Sequence, residues 1–138
     1  RRRWGSFPTT ADVGLWARGP DAAALFEGLG LGLFSLMTDL RKVRPREERA
    51  VSASADDPES LVVAYLTQLL QVHEPDGFLG SRIEVRPIGS PPTALVASVK
   101  GEPFDPERHS VRTEVKAVTL HHLVFDPRAG SARVIVDI

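Results

Sequence analysis

The sequence predicts an α+β domain, and three observations lead there. Two stretches, one from about Pro20 to Met37 and one over "DDPESLVVAYLTQLLQVHE", have helical pattern and length. About six shorter stretches alternate or run apolar as strands do, and several are joined by Gly/Pro-rich turns in the manner of hairpins. No repeat and no low-complexity linker divides the 138 residues, which suffice for one core. The expected architecture is a single domain over 1–138, with a mixed or antiparallel sheet and two main helices packed on one of its faces.

Each element has its own warrant. "ADVGLWAR" alternates, with Val13, Leu15 and Ala17 on one side and Asp12, Gly14 and Trp16 on the other. In the helix that follows, Pro20 suits the first turn and Asp21 complements the N-terminus. Leu25, Leu29, Leu33 and Leu36 form an apolar stripe beside a stripe of small residues, Ala24, Gly28, Gly32 and Ser35. Helical glycine costs about 1 kcal/mol against alanine, so these glycines imply a backbone packed closely on a sheet. "RKVRPREE" is a charged connection, and "RAVSASA" alternates as the next strand. The second helix starts with Asp57 as N-cap and Pro58 at its first position, with Ser60, Thr67 and Gln71 on the wet side. "PDG" turns the chain into a strand near Phe78–Arg86, and "GSPP" separates it from its hairpin partner "TALVASVKG". After "EPFDPERHSVR" comes a long strand, "TEVKAVTLHHLVF", which "DPRAGS" turns back into "ARVIVDI".

Composition narrows the function. Seventeen basic and eighteen acidic residues give a net charge of -1, which argues against a surface that is a phosphate trap throughout but leaves room for a local patch. The chain has no cysteine, so disulfides, thiolate metal sites and cysteine nucleophiles are excluded; this accords with a reducing cytoplasm, the expected location. No apolar run approaches the roughly 20 residues of a membrane span. "RRR" lacks a following apolar segment, so 1–6 reads as a frayed basic start rather than a signal peptide.

Nucleotide-cradle and hydrolase motifs are missing. "GLGLG" at 28–32 lies inside an apolar helix and reads as packing. His121 and His122, adjacent in a strand, face opposite sides and cannot share an ion unless a bulge intervenes. "DPERH" at 105–109 reads on composition as a solvated turn. The acids at strand ends are more informative. If the first and last strands are neighbours, Asp12, Asp137 and the carboxylate of Ile138 could converge and, through oxygen-only ligation, hold a hard divalent cation. The alternative is that each acid merely caps or solvates a strand end.

"TADVG" at 10–14, "ALFEGLGLGLFSLMTDL" at 24–40, "GEPFDPERH" at 101–109, "TEVKAVTLH" at 113–121 and the final "VIVDI" together resemble the archease family. The resemblance spans nearly the whole chain from Thr10. It implies an accessory protein without a reaction of its own that activates an RtcB-type, GTP-dependent RNA ligase. That role promotes guanylylation and multiple turnover in tRNA splicing and RNA repair, with RNA engaged indirectly through the ligase and no membrane involved. The resemblance further implies that Asp12, Asp137 and Ile138 hold a divalent cation, calcium first, with manganese or magnesium possible. Asp39, Glu102, His109, Lys116 and His121 lie in matching motifs and are second-tier candidates for the same face. The chain departs from the family at Pro8 and Thr9, where an acid and a histidine are usual, and at Leu120, where tyrosine is common. A metal-dependent hydrolase using Asp12 or Asp39, or a general chaperone or binding module, are the competing readings.

Overall fold

The computed structural model describes residues 2–138. In chain order the elements are β1 (Trp4–Pro8), β2 (Val13–Arg18), α1 (Ala22–Met37), a single 3-10 turn (Leu40–Lys42), β3 (Glu47–Ser54), α2 (Pro58–His73), β4 (Leu79–Ile88), β5 (Ala94–Glu102), β6 (Ala117–Asp126) and β7 (Ser131–Asp137). The single-domain α+β class stands, but the strands form two antiparallel sheets rather than one. One sheet has four strands in the order β1-β2-β7-β6, and the other has three in the order β3-β5-β4.

The helices lie between the sheets, so the expectation that they cover one face of a single sheet is corrected. The cause is visible in α1. Leu25 and Leu29 are fully buried, and so is Phe34 on the other side of the helix, with Phe26 and Leu33 buried between them. A helix apolar all round must bury more than one face, which one sheet cannot provide. α1 packs on β1, β2 and β7 with one side and on β4 with the other, while α2 packs on β3 and β6. The small residues set the closeness of approach. A Cβ at Gly28 would meet the Ala17 side chain at 2.9 Å, and one at Gly30 would meet Ile83 of the other sheet at 2.7 Å. Glu27 ties α1 to the outer edge of the three-stranded sheet, its Oε2 accepting from the Val85 N–H at 2.9 Å.

Asp57 caps α2 as the sequence indicates, whereas Asp21, expected within a helix begun at Pro20, is itself the N-cap of α1. Asp21 Oδ1 accepts from the Ala24 N–H at 2.9 Å, and Asp57 Oδ1 from the Ser60 N–H at 2.7 Å. Pro20 therefore lies just outside α1, which begins at Ala22. A second correction concerns the start of the chain. Trp4–Ser6 are not frayed: Trp4 pairs with Ala17 and Ser6 with Leu15 in the β1–β2 ladder. "WGSFP" carries no alternating apolar pattern, because its glycine sits beneath a ring from the neighbouring strand and its aromatic residues face opposite sides. Arg1 lies outside the described residues.

Among the described residues the core holds one polar orphan. The Tyr65 hydroxyl is fully buried without a hydrogen-bond partner, and burial pushes its ionisation well above the ordinary phenol range. Replacing an unpaired buried hydroxyl by hydrogen removes a desolvation cost and little else. Tyr65→Phe should therefore leave unfolding free energy unchanged or raise it by about 1 kcal/mol, as read by denaturant titration. A loss of more than about 1 kcal/mol would show that the hydroxyl is bonded.

Candidate functional site

The central ladder of the four-stranded sheet joins the two ends of the chain. β2 runs antiparallel to β7 with Val13 opposite Val136. Asp12 is one residue before that pair and Asp137 one residue after it, so the continued register sets the two acids across from each other. Asp12 is held by the β1–β2 turn: Thr9 Oγ1 accepts from the Asp12 N–H at 3.1 Å, and the Thr9 N–H donates to the Asp12 carbonyl at 3.2 Å. Thr9, a departure from the family pattern, thus closes the turn that presents Asp12. On the other side of β7, Ala117 pairs with Asp137, and the Lys116 N–H donates to the Asp137 carbonyl at 2.8 Å. Lys116 is exposed at the same corner.

Directly opposed cross-strand side chains have Cβ atoms about 5 Å apart, and like charges there are destabilising. Asp12 and Asp137 are each partly exposed, and Ile138 follows immediately at 41% exposure. Among the described residues no three His, Cys, Asp or Glu side chains converge as a ligand group. Any cation at this corner would thus depend on two side-chain carboxylates and on main-chain oxygen.

A second polar centre lies where the β5–β6 connection crosses the end of α1. Glu102 is 3% exposed. Its Oε2 accepts from the Arg44 N–H at 2.8 Å, and Arg108 donates to both carboxylate oxygens, at 2.9 and 2.7 Å. His109 Nε2 lies 2.9 Å from Oε2, while its Nδ1 accepts from the Asp105 N–H at 2.8 Å. With Nδ1 serving as acceptor, the proton is on Nε2, and His109 donates to Glu102 as a neutral imidazole. The expected solvated turn at 105–109 is thereby corrected: its arginine and histidine clamp a buried carboxylate. Composition could not show this, because the partner lies three residues upstream of the turn and Arg108 reads like any surface arginine.

Asp39 belongs to the neighbourhood of this clamp. It caps the 3-10 turn and forms a two-pronged pair with Arg41 at 3.0 and 2.9 Å, which holds its carboxyl down at about 2. Ser110, next to His109, approaches the Asp39 N–H at 3.4 Å. Arg112 and Thr113 donate to the Met37 and Leu36 carbonyls, so the connection seals the C-terminal end of α1 before reaching Lys116. Because α1 turns back across β2, this end lies toward the start of β2, where Asp12 is. His121 stands apart. Pairing of β6 with β7 is irregular between Thr119 and Val124, and His122 has φ 56°. The irregularity cancels the strand alternation, and the His121 and His122 rings lie 3.9 Å apart, rather than on opposite faces.

The model of the Archease protein family (MTH1598/TM1083) matches residues 4–138. The chain belongs to the archease family. It is 39% identical to protein archease of Thermococcus gammatolerans over 124 residues, covering 88% of this chain and 87% of that one. It is 38% identical to protein archease of Methanothermobacter thermautotrophicus over 136 residues, covering 96% of each. The solution structure of Methanobacterium thermoautotrophicum protein 1598 superposes with a TM-score of 0.80 at 34% identity, over 99% of both chains. No helix is long and apolar enough to cross a membrane among the described residues.

The Glu102 clamp has a measurable consequence. Hydrogen bonding by Arg108, then by the Arg44 N–H and His109, outweighs burial and lowers the Glu102 carboxyl from 4.5 to about 2. A carboxyl displaced so far contributes on the order of 3 kcal/mol at neutral pH. That contribution is complete above pH 4.5 and vanishes as pH falls through the folded value of about 2. Glu102→Gln should lower unfolding free energy at pH 7 by about 3 kcal/mol and flatten the acid limb of the stability profile. An unchanged acid limb would show that other carboxylates govern it.

Proposed function

We propose that this chain is an accessory protein of an RtcB-type, GTP-dependent RNA ligase, acting through the corner formed by Asp12, Lys116, Asp137 and Ile138. Membership of the archease family over residues 4–138 is the observation that carries the reading. The corner supports it, because opposed acids at a sheet end gain from a cation that offsets their repulsion. The available donors are all oxygen, which suits calcium, manganese or magnesium better than zinc.

Asp12 and Asp137 would hold such a cation from adjacent strands, with the carboxylate of Ile138 completing the set. A bound cation would supply positive charge for neutralising phosphate oxygens. The chain's own residues do the rest. The Thr9 turn and the β2–β7 ladder fix the two acids, so little ordering remains to be done on binding. Lys116, anchored by its backbone to Asp137, adds a cationic side chain beside them. The Glu102 clamp keeps the 101–113 segment in place, and that segment delivers Lys116 to the corner. Its two acid-binding groups, Arg108 and His109, are engaged internally, which fits a bracing role rather than acid–base catalysis. No activated nucleophile is formed by the described contacts of Asp12 or Asp39, and Asp39 is committed to Arg41. The accessory reading is therefore preferred over a hydrolase.

The test is multiple-turnover joining of RNA ends by an RtcB-type ligase, with and without this protein. Wild type should raise turnover and ligase guanylylation, and should not label with GTP itself. Asp12→Asn and a short C-terminal extension, which turns the Ile138 carboxylate into a peptide group, should each abolish most of the gain while the melting temperature holds. An N-terminal extension should have no effect. Full activation by the C-terminally extended protein would remove Ile138 from the site. GTP hydrolysis by the isolated domain, lost in Asp39→Asn, would overturn the accessory role.

A further inference from the structure

The helix-facing side of the four-stranded sheet is closed by Leu15, Ala17, Ala132, Val134 and Val136, all buried. Alternation sends the intervening residues to the outer side, where the irregular stretch of β6 at His122–Val124 borders Phe7, Arg133 and Ile135. Two aromatic rings lie there on glycines of the neighbouring strand. A Cβ at Gly5 would meet the Trp16 indole at 2.8 Å, and one at Gly14 would run into the Phe7 ring. A ring seated on a bare glycine backbone turns one π-face to the sheet and leaves the other outward. Each outward face carries an arginine. The Arg18 guanidinium is 5.0 Å from the Trp16 ring centre, and that of Arg133 is 4.9 Å from the Phe7 ring centre.

This layering meets the two requirements for binding an unpaired polynucleotide: flat π-platforms that accept any base, and exposed cations for phosphates. The platforms lie over adjacent cross-strand pairs, Gly5–Trp16 and Phe7–Gly14, two residues and so about 7 Å apart along the strands. Both arginines are exposed and can leave the rings without unpacking the core. No acid interrupts this part of the face. Asp12 and Asp137 stand at its one end, and at the opposite corner Asp126 is turned into its own hairpin, where Oδ1 accepts from the Ala129 N–H at 3.1 Å.

We propose that the outer face of the four-stranded sheet binds single-stranded nucleic acid, with bases stacking on Phe7 and Trp16 while Arg18 and Arg133 swing from the rings to the phosphates. An acidic polypeptide could satisfy the arginines but would leave the flat platforms without planar partners, so the polynucleotide is favoured. The inference needs neither the ligase nor a cation at the acidic corner.

The experiment titrates the full chain, in EDTA, with a labelled oligouridine of about 12 nucleotides, following anisotropy and tryptophan emission. The expected result is saturable binding with quenched emission, weakened roughly tenfold between about 50 and 200 mM salt, as two or three phosphate contacts require. Trp16→Leu and Phe7→Leu keep the glycines covered, so their melting curves should hold while affinity falls at least tenfold. The pair Arg18→Gln with Arg133→Gln tests the same site without touching either ring, and should also lower affinity and flatten the salt dependence. The absence of saturable binding at low salt would overturn the proposal. Equal binding of heparin or duplex, unaffected by Trp16→Leu, would reduce the face to a charged patch and overturn it too. Stronger competition by an acidic peptide than by oligouridine would assign the face to a protein partner instead. Because the assay contains neither ligase nor free divalent cation, failure here leaves the proposed accessory function standing.

Discussion

The pairing of β2 with β7 is the constraint on which the rest of the molecule depends. It joins residues near the start of the chain to its last residues, with Val13 set on Val136 and Arg18 on Ser131. A slip of one residue would turn Leu15, Val134 and Val136 away from α1 and expose the core, so register is specified by burial. The same register determines everything polar at the ends of the ladder. It sets Asp12 opposite Asp137, brings β6 and Lys116 alongside, and lines up Trp16 with Arg133 on the outer surface. Packing and the polar corner are therefore not independent here, because one ladder shapes both.

Behind that ladder, α1 sets how closely the two sheets can approach. Gly28 lets Ala17 and Trp4 come against the helix on one side, and Gly30 admits Ile83 and Tyr65 on the other. The two sheets are thus held by a single apolar helix with small residues where backbone and side chain must nearly touch. The Glu102 clamp acts at the end of this helix. It draws Arg44, Arg108 and His109 onto one carboxylate, and so fixes the segment leading from β5 to β6. Its residues resemble a catalytic cluster in composition. Its geometry is that of a brace, since every strong donor already has an internal partner.

How much of this could be read from the sequence depended on whether the signal was local. Both helices, the cap at Asp57, and the β4–β5 and β6–β7 hairpins were legible, because capping, periodicity and turn chemistry reside in neighbouring residues. β1 was not, since Gly5 and Phe7 owe their places to Trp16 and Gly14 across the ladder. The division into two sheets was hidden as well: apolar residues on all sides of α1 imply burial, but not by how many layers. At the site, the family resemblance singled out Asp12 and Asp137, and the β2–β7 register sets the ends of their strands side by side. Arg108 as the partner of Glu102 had no local signal. The nearness of His121 and His122 contradicted alternation, because a bulge with a left-handed residue follows no periodic rule.

The central proposal is that the β2–β7 register builds a cation-binding corner from Asp12, Asp137 and Ile138. Paramagnetic broadening of amide signals by substoichiometric manganese tests it most directly, since the effect falls steeply with distance from the ion. The account predicts that signals of residues 11–13 and 136–138 disappear first, followed by Lys116 and Ala117, and that excess calcium restores them. Broadening centred on Asp105 and Glu107, or spread evenly over the exposed acids, would contradict it.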